Sequence, residues 1–336
     1  MSSLVSILTP CFEHEAYLED YFESLLAQTY RDVELILFDD GSRDRSWMIA
    51  QEYQERLRNR LARVVLRRNE TNLGLLETLE RMRAEVQGDI VCIVESDDFL
   101  YPTKTEENVA FLRSHSEIGL VHSDADLLFS KTGRLQHSRW GSRDREIPVG
   151  EVFESLLHEN FILTCTMACR APLLAAYVDF RSYRKRGYQT ADYAMFLDLS
   201  RRAPFGYIDR PLAVYRVVEG SISHPRSAIG RLRWKLDYYR IKRDYIREYG
   251  CRDETKRRAE SQLHRSLMQL GWASGSSEMF NEGYSWLLDN DPASIGGWAQ
   301  RARRLAIRNG ALWQSIRRLE TLWGRSREST FEEPRT

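Results

Sequence analysis

No stretch of the 336 residues approaches the roughly 20 consecutive apolar residues that a membrane-spanning helix requires. The first residues show no basic region followed by a long apolar stretch, so a secretory signal is not expected. Cysteine is sparse: Cys11, Cys92, Cys165, Cys169 and Cys251 are scattered and odd in number. Cys92 falls in an apolar run, and Cys165 and Cys169 have no second pair to complete a zinc site. Buried free thiols in a reducing cytoplasm are the reading. Net charge is absent, with 49 Lys+Arg against 49 Asp+Glu. A neutral chain with no nucleic-acid module in view argues against a nucleic-acid partner. No internal repeat of convincing period is found.

What is present is the composition of a soluble globular protein, 42% apolar and 29% charged. The length suits one large domain or two ordinary ones. Charge is unevenly spread: residues 226–336 carry 22 basic and 14 acidic side chains, and residues 1–225 carry 27 and 35. An acidic front and a basic tail suggest two functional regions.

The front is organised around Val91-Cys92-Ile93-Val94-Glu95-Ser96-Asp97-Asp98. Four apolar residues in a row read as a fully buried strand. The acids that follow would stand at the carboxyl edge of a sheet, where open α/β folds bind their ligands. Like charges so close need a proton or a cation between them. A hard divalent ion such as Mg2+ or Mn2+, itself holding a phosphate, suits them. The plainer alternative is an acidic turn after a strand.

Strands are expected over 5–10, 33–38, 62–66 and 90–94. Helices are expected between them over about 15–28, through Trp47 to about 57, and from Asn72-Leu73-Gly74 to near 88. Such alternation implies a parallel sheet with right-handed crossovers. Beyond the acids come a helix over about 103–114, a strand over 119–123, and a polar, turn-rich stretch with weak strand signals over 124–150. A short helix over 151–157, a β-prone run over 161–169, a helix from Pro172 and a loop over 183–190 follow. Asp192 opens an apolar helix, and two closing strands are expected at 207–208 and 212–217. After about Pro225 the pattern turns helical, and six of the eight tryptophans lie there.

Several motifs stand in order along residues 1–223: Val5 to Pro10 with Cys11-Phe12-Glu13, Leu25-Leu26-Ala27-Gln28-Thr29-Tyr30, Asp39-Asp40-Gly41-Ser42, Asn72-Leu73-Gly74, Glu95-Ser96-Asp97-Asp98 and Ala191-Asp192-Tyr193. As an ordered set they resemble family 2 glycosyltransferases, inverting enzymes of the GT-A fold. The resemblance implies a Rossmann-like, mostly parallel α/β sheet flanked by helices. It implies a nucleotide-diphospho sugar as donor, a UDP-sugar favoured, and a glycan or glycolipid acceptor, as in cell-surface polysaccharide synthesis. It further implies Mg2+ or Mn2+ at Asp97 and Asp98, with Asp97 also on the nucleotide, to stabilise the charge of a leaving diphosphate. Asp192 would be the general base on the opposite face of the sugar; the competing reading is a helix N-cap. For the nucleobase, Asp40 is the first choice and Asp39 the second, against the alternative of a hydrogen-bonded turn. Thr9 and Phe12 would line the same pocket, Phe12 by stacking.

The chain departs from that pattern. Glu13 stands where asparagine is common, and Glu95 where aspartate is. Tyr215-Arg216-Val217-Val218-Glu219-Gly220-Ser221 lacks the histidine often found before the glycine, although His224 follows a few residues later. Boundaries are expected at 1–224 for the catalytic domain, 225–325 for a helical region and 326–336 for a disordered tail. In the helical region Trp298, Ala302, Leu305, Leu312, Ile316, Leu319 and Trp323 recur at near-heptad spacing among arginines. They fit either a subdomain packed on the catalytic domain or a basic helix at a membrane surface. The latter would place the protein in the cytoplasm at the inner face of the membrane. The oligomeric state is left open. Two rival functions remain: a sugar-phosphate nucleotidyltransferase, which should show a glycine-rich basic signature that residues 9–15 lack, and an inactive binding or scaffold module.

Overall fold

Strands β1 (Val5–Cys11) and β2 (Val33–Asp39) are buried along their whole length. An apolar run without polar alternation suits a strand covered on both faces. The structure, a computed structural model, describes residues 3–139 and 146–295. β1 pairs in parallel with β2 and with β4 (Ile90–Ile93), and β2 pairs in parallel with β3 (Arg63–Arg68). Helices α1 (Leu18–Leu26), α2 (Ser46–Arg60) and α3 (Leu75–Arg83) make the crossovers. α1 presents Leu18, Tyr21, Phe22 and Leu25 to the core, the i, i+3, i+4, i+7 stripe of an amphipathic helix. Truncating a ring such as Phe22 to alanine would cost about 3–5 kcal/mol.

The chain continues through β5 (Phe99–Leu100), α4 (Lys104–Ser114), β6 (Leu120–Phe129), β7 (Arg134–Gln136) and α5 (Phe153–His158). A 3-10 turn (Thr164–Thr166), β8 (Ala168–Arg170), α6 (Ala171–Tyr177), α7 (Phe180–Lys185), α8 (Asp192–Ser200) and β9 (Phe205–Val217) complete this part. The sheet is mixed, in the order β3-β2-β1-β4-β8-β6-β9-β5, with β7 added to β6. Its first four strands are parallel; β6 and β9 form a second parallel pair, and β5, β7 and β8 run antiparallel to their neighbours.

Buried Gln28 shows why its motif recurs beside the acids. Its amide donates to the carbonyls of Ser24 at 3.1 Å and Tyr101 at 3.0 Å. Its own carbonyl accepts from the backbone and hydroxyl of Thr105 at 3.2 and 2.8 Å. One side chain thus ties the end of α1 to the segment just past Asp98.

Four local expectations are corrected. β6 runs on to Phe129 and pairs with β7, because the two carboxylates that make 124–126 look loop-like are satisfied: Asp126 accepts from Tyr101 at 2.5 Å and Ser138 N–H at 2.9 Å, and Asp124 from the Ser138 hydroxyl. Of the β-prone run 161–169 only Ala168 and Cys169 are strand, and Thr164–Thr166 form the 3-10 turn. The loop over 183–190 begins inside α7, whose N-cap Asp179 accepts from Ser182 N–H at 2.9 Å. The two closing strands are one strand, β9, with a register shift opposite Asp124.

A second compact unit comprises 227–247 and, among the described residues, 252–295. In it α9 (Ala228–Tyr249), α10 (Asp253–Ser274) and α11 (Ser277–Asn290) enclose Leu236, Leu263, Leu267 and Leu270, and a second cluster of Met268, Phe280, Tyr284 and Leu287. Trp272 and Trp286 pack on that second cluster. The near-heptad stretch from Trp298 to Trp323 and the 326–336 tail lie outside the described residues. Among the described residues no helix is long and apolar enough to cross a membrane.

Candidate active site

Parallel pairing aligns the carboxyl ends of the first strands. Cys11 stands beside Asp39, and Asp39 beside Arg68, while Val94 donates to Leu8 at 3.0 Å just past β4. Two acidic turns leave this edge.

The first carries Asp39 and Asp40. Asp40 accepts from the Asn69 amide at 2.8 Å and from the N–H groups of Leu73 and Gly74, each at 2.9 Å. Gly74 is the N-cap of α3, so this carboxylate caps a helix from another segment and faces its positive end. Gly41, at φ +75°, lies so close to the same segment that a Cβ would meet the Thr71 carbonyl carbon at 2.8 Å and Asn72 N at 2.9 Å. Asp-Asp-Gly-Ser and Asn-Leu-Gly are therefore two halves of one contact. Asp40, the first choice for the nucleobase, thus has a carboxylate that already helps to hold the fold. Asp39 is different. Its Oδ2 accepts from Arg68 at 3.0 Å and from Ser42 N–H at 3.3 Å, while its buried Oδ1 has no partner. Burial pushes its carboxyl above the ordinary aspartate value. An unpartnered buried acceptor awaits a donor.

Thr9 is fully buried and its hydroxyl meets that of Tyr21. Phe12 is 38% exposed and stands free at the edge. Glu13 takes the left-handed conformation, φ 55°, and its N–H donates to the Ser42 hydroxyl at 2.9 Å. That conformation favours asparagine over glutamate.

The second turn carries Glu95, Asp97 and Asp98. Ser96 fastens it to β1, donating to the Pro10 carbonyl at 3.3 Å and sharing a 2.8 Å hydrogen bond with His14 Nδ1. Asp98 is buried, and its Oδ1 accepts from the Arg216 N–H at 2.8 Å. Burial, then the charges of Asp97 and Glu95, hold its carboxyl well above the usual range. Glu95 is pushed up to about 8 by burial, then by Asp97 and by Asp192. Asp192 itself, the first residue of α8, is raised by burial. Glu95 thus lies within electrostatic reach of Asp97, Asp98 and Asp192.

His224 comes to the same place. The 218–224 segment folds back through a 2.8 Å bond from Gly220 N–H to the His224 carbonyl. His224 Nε2 lies 3.2 Å from the Tyr215 hydroxyl. Burial lowers the imidazole pKa, while the charge of Asp97 pulls it back up. Sequence reading included Arg216 in the 215–221 stretch but gave it no role, because its partners are far along the chain.

Among the described residues no three His, Cys, Asp or Glu side chains converge as a metal cage. Half-buried Asp97 and buried Asp98, whose carboxylate the Asp97 charge repels, still fit Mg2+ or Mn2+. Such ions keep positions for waters and substrate phosphates rather than demanding an all-protein shell.

Residues 6–159 match the family model described as Glycosyl transferase family 2. Over 237 residues the chain is 27% identical to TuaG of Bacillus subtilis (strain 168), a glycosyltransferase provisionally assigned to teichuronic acid biosynthesis; the match covers 69% of this chain and 86% of that one. Among solved structures, mannosyltransferase PcManGT from Pyrobaculum calidifontis, in complex with GDP-Man and Mn2+, superposes with a TM-score of 0.54 at 14% identity, covering 96% of this chain and 88% of that one. S. aureus TarS 1–349 in complex with UDP gives a TM-score of 0.50 at 16% identity, covering 91% and 92%. At these identities the structural likeness establishes the fold alone.

Proposed function

Since the chain belongs to glycosyltransferase family 2 and has the GT-A fold, we propose that it is an inverting, metal-dependent enzyme that moves a sugar from a UDP-sugar to a glycan or glycolipid hydroxyl. The observation that carries this reading is the electrostatic coupling of Glu95 with both Asp97 and Asp192. It puts the Asp192 carboxylate, on a separate helix, within electrostatic reach of the acidic turn, which supports that reading. A Mg2+ or Mn2+ bound by Asp97 and the remaining oxygen of Asp98 would supply the positive charge on which a diphosphate leaves. Asp192 takes the acceptor proton, and the burial that raises its pKa makes it a stronger base. His224, beside Asp97, is placed to meet the diphosphate, which weighs against an inactive scaffold.

Asp39 favours uracil. Guanine presents N1–H and N2–H together and is best met by both oxygens of one carboxylate. Asp39 has one oxygen to offer, since Arg68 and Ser42 occupy the other. That single acceptor matches the lone ring N–H of uracil, and Phe12 can stack on the base. The likeness to TarS with UDP supports this nucleotide, while PcManGT with GDP-Man keeps guanine as the competitor. The likeness to TuaG supports a cell-surface polysaccharide as the product. Action on a lipid-linked acceptor would bring the protein to the inner face of the membrane.

Calorimetry with UDP and GDP, with Mn2+ or with chelator, tests the reading. UDP should bind more tightly with Mn2+, and Asp97→Ala should abolish that gain without altering thermal unfolding. Equal binding with and without the metal, or an unchanged Asp97→Ala variant, would remove the metal from the site.

A further inference from the structure

Arg216, on β9, is 8% exposed and contacts the acidic turn from two sides. Its backbone N–H donates to Asp98 Oδ1 at 2.8 Å, and its Nε donates to the backbone carbonyl of Asp97 at 2.7 Å. Its Nη2 donates to Asp20 on α1 at 2.8 Å. The guanidinium carbon stands 4.9 Å from the ring centre of Tyr17 and 5.5 Å from that of Phe99. Those contacts fix the direction of its fork. The fork meets the carbonyl of Asp97 and not its carboxylate. A guanidinium on that carboxylate would take the oxygens a divalent ion needs, whereas this one leaves them open.

We propose that Arg216 is the positioning residue of the Asp97–Asp98 pair, holding the two repelling acids in a fixed turn and locking that turn to α1 through Asp20. This rests on the donor-site reading above. Adjacent carboxylates drive a turn apart unless something fastens it. Here one fastening is a backbone N–H on the inward acid, and the other is a charged donor on the backbone of the outward one. A displacement of about 1 Å at such a site can cost on the order of a hundredfold.

The test measures binding of UDP, or of GDP if only that binds, with Mn2+ and with chelator, alongside thermal unfolding. Arg216→Met should weaken Mn2+-dependent binding by about ten- to a hundredfold. Binding in chelator should change less than about twofold, because the Asp39 side of the pocket is untouched. Arg216→Lys, which keeps the charge but cannot reach both Asp97 and Asp20, should fall between. Asp20→Asn, which keeps an acceptor for Nη2, should stay near wild type. A Met variant with full Mn2+ dependence overturns the proposal. So does one that loses binding equally in both conditions, since that is general destabilisation. If the Met variant does not fold, the Lys variant decides: wild-type Mn2+ dependence in it overturns the proposal, and a selective loss supports it. A wild-type protein with no Mn2+-dependent binding fails differently, taking the donor-site reading down before any variant is compared.

Discussion

The turn after β2 and the turn after β4 carry adjacent acids at one sheet edge, and they divide those acids alike. In each, the second acid turns inward onto backbone N–H groups from a distant segment: Asp40 onto Leu73 and Gly74, Asp98 onto Arg216. In each, the first acid keeps acceptor capacity: the unpartnered Oδ1 of Asp39, and the half-buried carboxylate of Asp97. In the first turn the pair sits at the end of extended β2, where neighbouring side chains point opposite ways; in the second, Asp97 lies in a turn closed by a 3.1 Å bond from Asp98 N–H to the Glu95 carbonyl. The turns differ in charge. The first has Arg68 beside it, while the second holds three acids whose nearest guanidinium is aimed at a carbonyl.

The largest expected effect falls outside both turns. Asp192→Asn should retain donor binding and lose transfer by roughly 10²–10⁴-fold, the usual worth of a positioned base. In the wild type the acid limb of kcat/KM should lie above the ordinary aspartate range, because the raised carboxyl must be deprotonated to act. Near-normal turnover in the variant, or a limb at the ordinary value, would assign the base to another residue.

Next comes the contrast within the first turn. Asp40→Ala leaves Leu73 N–H without its acceptor, while the Asn69 amide and Gly74 N–H keep Thr78 and Asn72, and it should cost roughly 1–3 kcal/mol of stability. Asp39→Asn should leave the melting temperature nearly unchanged and weaken nucleotide binding about tenfold, the loss of one charged hydrogen bond. Paired thermal melts and nucleotide titrations would separate them. The reverse assignment of effects would end the division of labour drawn here.

The smallest effect concerns charge in the second turn. Glu95 binds its proton more tightly folded than unfolded, so in chelator the folded state should lose stability as pH rises from the unfolded value near 4 through about 8. Glu95→Gln removes that penalty. At about pH 9 it should be the more stable protein by at least the roughly 1.4 kcal/mol that one pKa unit represents, and the advantage should fade toward pH 4. Parallel denaturation curves across this range would measure it; an advantage independent of pH would show that the charge is not its cause.

The parallel half of the sheet was legible because strands buried on both faces read as unbroken apolar runs, as at Val33 to Phe38. The acidic turns were legible as candidates. Which acid of each pair points inward was not, because it depends on donors supplied by Leu73, Gly74 and Arg216, which no local spacing reveals. The end of β6 was hidden for the same reason, its carboxylates being answered by Tyr101 and Ser138. Arg216, named only as part of the 215–221 stretch, was given no role because its three partners belong to two earlier segments, and only folding brings them together.

The bond between Asp98 and Arg216 spans 118 residues, and on a ribosome that distance is time. At about 5–20 residues per second, a nascent chain exposes Asp98 for roughly 6–24 s before its partner is made. During that interval β1 to β4 already have their mutual partners, but the acids at their edge do not. The binding edge is therefore among the last parts of this half to acquire its shape, and the nascent chain can hold a nearly complete sheet before it has a place for a ligand.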